Sequence, residues 1–545
     1  MGNSRTATKQ DNRHGLLDRM LMIRWSTHRG MLLALFCALG IILVAPVWTV
    51  RYPPLVDFPN HLASAFVLAH LHDPRFHFSQ FYAPNWNLGP YLTMELILVG
   101  LQKFLPAMLA GRIFLSLCLL VVPPSVWFFL KEANPGEERL TFWSLLLCSN
   151  VFFFLYGLLS LQLSFALCFV VLGVWLRYIR RPHPSLWWLL CFLVTALYFT
   201  HLVGFCVAGL VETTYLVSTR SPFRKLLLSW LLFLPGTVLY LHWKVSDTGS
   251  WPTIFMSVSR KVGSLAGIML GYSAALDFFT ILVILGCIFL ACSDNPDLHW
   301  NRPWIVTLGT LFIVFLVLPT HYGVGNMIAR RLLPFIFVIA LAGARIGRRG
   351  AYLAPVALAL FFVRTTNVEM NFISRQPHLE NLARSFSVIP GNAQVLPFIH
   401  KPADGGIPED HFWAYGVIQK GWFSPYLFHD KGVQPLQIKL KTYTMPHYGA
   451  FVTLDQPVKW SRISSDYDYI WAYGASDYSG QMETIGKLVF HSEGLEVFQI
   501  TRPLAKRHQK AKDGLTLRQQ KVTHETQQKR LSSDPPQAGS QRIDS

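Results

Sequence analysis

Long apolar runs recur along the first two thirds of the chain, near 31–50, 107–130, 140–156, 158–177, 184–200, 202–219, 225–242, 272–292, 303–320, 332–346 and 350–364. Most approach the ~20 residues a helix needs to cross the hydrocarbon of a bilayer, so the pattern predicts about eleven spans. The run 90–105 is apolar too, but it carries Glu95, Gln102 and Lys103 and is bracketed by prolines, which predicts a helix lying at the interface. A second interfacial helix is expected over 59–72. Beyond 366 the pattern shortens. The stretches 393–398, 467–473 and 495–500 read as strands, and Pro377–Val388 and His411–Lys420 read as helices. After Arg502 the chain is polar and without periodicity, which predicts disorder. The expected fold class is therefore an α-helical polytopic membrane protein with a small extracytoplasmic α/β C-terminal domain. Its expected parts are a cytoplasmic basic tail (1–30), a transmembrane domain (31–364) with a long first outer loop (51–106), the α/β domain (365–503) and a disordered polar tail (504–545).

Composition supports the membrane reading: of 545 residues, 52% are hydrophobic and only 14% charged. The formal charge of +18 does not point to nucleic acid, because the basic residues form short clusters between apolar runs. Those clusters (Arg5 to Arg29, Arg177/Arg180/Arg181, Arg220/Arg224/Lys225 and Arg345/Arg348/Arg349) fall on one side if 90–105 does not cross. Basic residues accumulate on the cytoplasmic side, so the N-terminus is expected inside and everything after Val363 outside. The eight cysteines lie singly in or beside apolar runs, which indicates neither a disulfide framework nor a CxxC metal site.

The chemistry-bearing residues concentrate just after the first span, in Pro53-Pro54-Leu55-Val56-Asp57-Phe58-Pro59-Asn60-His61. Asp57 and His61 are four residues apart and face one side once a helix begins. Asp57 reads equally well as a helix cap with Pro59 in the first turn. Arg330 and Arg331 sit at the outer mouth of a late span, where guanidinium groups bind phosphate oxygens; the plainer reading is snorkelling to lipid head groups. His201, in a tight turn, either contacts substrate or orders the turn. Asp73 with His61, His70, His72 and His77 lacks paired ligand spacing and reads as a solvated loop, so no metal site is assigned. Gln162 and Glu212 within apolar runs are functional candidates or interhelical packing groups.

The chain resembles the GT-C class of integral membrane glycosyltransferases, which includes protein O-mannosyltransferases and bacterial aminoarabinose transferases. Asp57-Phe-Pro-Asn-His61 resembles that class's Asp-Glu-Pro-x-His/Tyr pattern, with Phe58 where many members carry a second acid. Pro106-Ala-Met-Leu-Ala-Gly-Arg-Ile113 is similar to the Ala-Arg-Leu-Pro start of its second crossing, and Ala329-Arg-Arg-Leu-Leu-Pro334 to its Arg-Tyr-x-x-Pro late helix. The stretches 411–418 and 424–428 resemble bacterial members of unassigned acceptor. The resemblance implies transfer of a sugar from a polyprenyl phosphate to an acceptor hydroxyl on a glycan, lipid or protein outside the cytoplasm, in a bacterial inner membrane. Within it Asp57 is the general base, and Asn60, His61, His201, Arg330 and Arg331 bind substrate. No cofactor is implied with certainty, and Phe58 weakens any metal-assisted version. Two other classes stay open. A transporter or flippase of a lipid-linked precursor would need charged pairs deep in the spans, of which the sequence shows few. A catalytically inactive relative would use its outer domain only to bind partners.

Overall fold

The structure is a computed structural model that describes residues 29–149, 151–246, 253–292, 299–322, 327–346, 352–400, 408–429, 433–442, 444 and 458–501. Residues 1–28 of the basic tail, Gly323 to Asn326, Arg348, Arg349 and the tail after Thr501 lie outside the described residues.

The chain is mostly helical. Among the described residues five helices are long and apolar enough to cross a membrane: Ala107–Ala133, Glu138–Leu155, Leu159–Arg180, Phe223–Trp243 and Leu353–Ser387. A sixth arises if Val258–Met269 and Ala274–Leu290, bent at 99°, form one span. Shorter apolar helices occupy Ala34–Trp48, Leu92–Gln102, Pro184–Thr200, Leu202–Ser218 and Arg302–Val317. Helices of this length and composition make an integral membrane protein. The Leu92–Gln102 helix has 11 residues, roughly 16 Å at 1.5 Å per residue, too short to cross.

The buried Leu159–Arg180 helix lies at the centre of the bundle, against Val122–Ala133, Pro184–Thr200 and Leu202–Ser218. Its Gln162 shows why polar side chains sit in apolar runs here: its Nε2 donates to the carbonyls of Cys118 and Cys148, both at 3.0 Å. At its last turn Arg177 and Arg180 both pair with Glu132, cations placed where the helix dipole favours them. A second buried device closes the bent pair. Arg364 Nη1 donates to Asp277 Oδ1 (2.8 Å) and Thr280 Oγ1 (3.1 Å), its Nη2 donates to the Met269 carbonyl, and Asp277 Oδ2 accepts from the Gly271 N–H (2.8 Å). With every member satisfied, this pair clasps the bend to the long helix rather than leaving a charge free in the bundle.

That long helix, Leu353–Arg384, differs from the sequence expectation. Pro377–Val388 is no separate helix; 353–384 is one 32-residue rod with Pro377 inside it. The polar stretch 366–376 contains no glycine or proline to end a helix, so the rod continues out of the apolar part and into the C-terminal region. There, Val395–Ile399, Tyr469–Tyr473, Leu495–Ile500 and Gly486–Ser492 form a four-stranded sheet in that spatial order, the first pair parallel and the others antiparallel. The first loop is stitched to the same region: Tyr82–Pro84 pairs antiparallel with Leu436–Ile438, and the Tyr82 hydroxyl bridges the backbone of Ser424.

Candidate functional site

The site begins with how Asp57 is held. Its N–H donates to the Tyr156 carbonyl (3.1 Å), and the preceding Val56 N–H donates to Leu155 (3.1 Å). Gly157 makes this approach practicable. It has φ +85°, and a Cβ built there would stand 3.0 Å from the backbone nitrogens of Asp57 and Phe58. The Phe58–Ala69 helix then starts with Pro59 in its first turn, and Asp57 sits at the N-cap position without capping it through its side chain. The capping alternative is therefore not what the carboxylate does. The Asp57 side chain, 28% exposed, instead faces a cavity of about 510 Å³.

Asp57, His61, Tyr91, Glu95, His201 and Arg331 all line that cavity. Its cationic end is Arg331, partly buried, with Nη1 3.0 Å from His201 Nε2. His201 also orders its turn: its Nδ1 accepts the Val203 N–H (3.1 Å) at the start of Leu202–Ser218. Burial, and after it the Arg331 charge, hold this imidazole well below its ordinary value of 6.5, so it stays neutral. A neutral ring accepts at one nitrogen only, yet donors face both, so Val203 and Arg331 compete for it. Loss of water lowers the Arg331 pKa, while the charge of Asp57 acts on it in the opposite direction; an arginine remains a cation regardless.

The acidic end contains Asp57, and one turn further on His61, whose Nδ1 lies 3.1 Å from Glu95 Oε1. The Leu92–Gln102 helix connects the two ends. Tyr91, at its N-cap with φ +81°, sets its ring edge-on against His201 at 4.7 Å, and Glu95 meets His61 four residues later.

The C-terminal region completes the acidic end. Asn60, fully buried, donates from Nδ2 to the Tyr426 carbonyl (2.8 Å) and accepts at Oδ1 from the Phe428 N–H (2.8 Å). Two backbone partners of opposite kind fix which end of the amide is nitrogen. Asn60 Nδ2 is also 3.1 Å from His411 Nδ1, so that ring nitrogen is the acceptor and the proton resides on Nε2. His411 Nε2 lies 3.7 Å from Asp57 Oδ1. Phe428 packs its ring on both His61 (4.6 Å) and His411 (5.1 Å).

Of the residues singled out in the sequence, Asp57, His61, His201 and Arg331 thus meet in one cavity. Asn60 is spent on backbone and on His411, and Arg330 is not part of the cavity wall. Sequence reasoning missed the roles of Glu95, Tyr91 and His411, although 411–418 stood out by resemblance. Among the described residues no three His, Cys, Asp or Glu side chains converge to hold a metal ion.

Among solved structures, the chain is similar to ArnT from Cupriavidus metallidurans in the apo state, with a TM-score of 0.49 at 11% identity over 86% of this chain and 97% of that one. No protein-family model and no curated protein sequence matches.

Proposed function

We propose that this chain is a GT-C-type membrane glycosyltransferase that moves a sugar from a polyprenyl phosphate to an acceptor hydroxyl on the extracytoplasmic face. The observation that carries the reading is a carboxylate, Asp57, and a guanidinium, Arg331, lining one cavity in a protein of apolar helices; the motif resemblance of the Asp57 to His61 segment supports it. In this reading the N-terminus is cytoplasmic, about eleven helices cross a bacterial inner membrane, and the C-terminal sheet region lies outside as a domain.

The reaction is an inverting displacement. The acceptor oxygen forms a bond to the anomeric carbon while its proton passes to Asp57, and the bond from that carbon to the phosphate oxygen breaks with its electron pair. The departing phosphate needs positive charge rather than a proton, which Arg331 supplies where water is scarce. The His411 Nε2 edge, 3.7 Å from Asp57 Oδ1, faces the carboxylate from the C-terminal region. His201, neutral, lies beside Arg331 without adding a competing anion.

Transfer of labelled sugar from polyprenyl-phosphate sugars to membrane acceptors tests this. Asp57→Asn keeps shape but removes the base, so it should lose roughly 10²–10⁴-fold in rate while remaining inserted. Full activity in that variant sinks the mechanism.

A further inference from the structure

Glu95 is only 1% exposed, yet its Oε2 has no hydrogen-bond partner among the described residues. A buried carboxylate oxygen left unpaired is costly, and such an orphan needs a reason. Its other oxygen is engaged by His61, whose ring is in turn fixed under Phe428. Glu95 therefore cannot turn away freely to find a partner, and it lines the cavity that holds Asp57 and Arg331. The placement adds direction. Tyr91 stands at the cationic end against His201, and Glu95 stands at the acidic end one helical turn later. Whatever spans the distance between phosphate and base lies along this first turn of the Leu92–Gln102 helix.

We propose that Glu95 Oε2 is a specificity determinant that accepts a hydrogen bond from a ring hydroxyl of the transferred sugar, completing a subsite built by Glu95 and His61. This rests on the transferase reading, because the sugar occupies the space between Arg331 and Asp57 only if its phosphate sits at Arg331. A carboxylate accepts without donating, so the subsite selects sugars that present a hydroxyl at this one position and orientation. An epimer that points it away leaves the oxygen orphaned, which is how a polar site rejects a near-isostere.

The test measures binding of four probes to the full-length protein in detergent: undecaprenyl phosphate and its glucose, galactose and mannose conjugates. Wild type should bind at least one conjugate roughly ten-fold tighter than the bare phosphate, the size of one hydrogen bond to a charged group. Glu95→Gln should bring that conjugate down to the level of the bare phosphate and leave the bare phosphate's affinity unchanged, which also reports that the variant is folded. The proposal is overturned if the sugar increment survives in Glu95→Gln, if no conjugate exceeds the bare lipid, or if the variant weakens all four probes alike. If wild type binds none of the four, the transferase reading itself fails. That outcome is distinct from loss of the sugar increment alone.

Discussion

Gly157→Ala tests how tightly Asp57 is held, because the structure supplies its own control. Both Gly157 (φ +85°) and Gly136 (φ +96°) occupy backbone conformations that a side chain resists, but only Gly157 is crowded: a Cβ there meets the Asp57 and Phe58 nitrogens at 3.0 Å and the Asp57 Cβ at 3.1 Å, whereas one at Gly136 meets nothing within 4 Å. Backbone strain alone costs about 1–3 kcal/mol, and both variants carry it. Gly157→Ala adds an overpacking term of about 1–3 kcal/mol, since two of the three crowded atoms are backbone nitrogens, and that of Asp57 is hydrogen-bonded to the Tyr156 carbonyl. Relief comes by shifting Asp57 a few tenths of an ångström. Misplacement near 1 Å costs about 10²-fold in rate, so a drop of about ten-fold is expected. Thermal unfolding in detergent and sugar transfer, measured on both variants, separate the terms: Gly136→Ala should lose modest stability and keep its activity, and Gly157→Ala should lose more of both. Equal losses in the two would refute the claim that the 155–157 backbone positions Asp57.

Asn60→Leu removes the hydrogen bonds that Asn60 makes to the Tyr426 carbonyl and the Phe428 N–H, each worth about 0.5–1.5 kcal/mol; hydrogen exchange at 426–428 should accelerate, and unchanged protection would deny that Asn60 docks this segment. His201 yields a pH signature. Its folded pKa lies below the ordinary 6.5, so the unfolded chain binds the proton more readily; the stabilisation is complete above about pH 6.5 and is lost as pH falls below it. His201→Asn retains a capping oxygen but no titration, so wild type should lose stability between pH 6.5 and 5 more steeply than the variant, and parallel curves would contradict a neutral buried imidazole.

The sequence reveals much of the helical scaffold, because apolar runs long enough to bury a helix leave few alternatives, and helices do occupy those stretches. It reveals less wherever the partner is distant. Asn60 and His411 meet across 351 positions, a pairing no local period encodes, and Asp277 with Arg364 looks like two isolated charges until the bend brings them together. Adjacent residues can also part company. Arg330 and Arg331 sit on a 3₁₀ turn, Ala329–Leu332, where successive side chains diverge by about 120°, so one lines the cavity and the other does not. The Pro377 boundary fails for the opposite reason: a proline suits the first turn of a helix, but without a breaker upstream the rod runs through it.

That divergence offers the most direct test of the central claim, a cavity whose cationic end takes a lipid-linked phosphate opposite Asp57. The measurement is the affinity of undecaprenyl phosphate for wild type, Arg331→Gln and Arg330→Gln in detergent. Loss of one charge-assisted contact, about 1.5–3 kcal/mol, predicts a 10- to 100-fold weakening for Arg331→Gln and near wild-type binding for Arg330→Gln. Equal weakening in both, or weakening confined to Arg330→Gln, would contradict it.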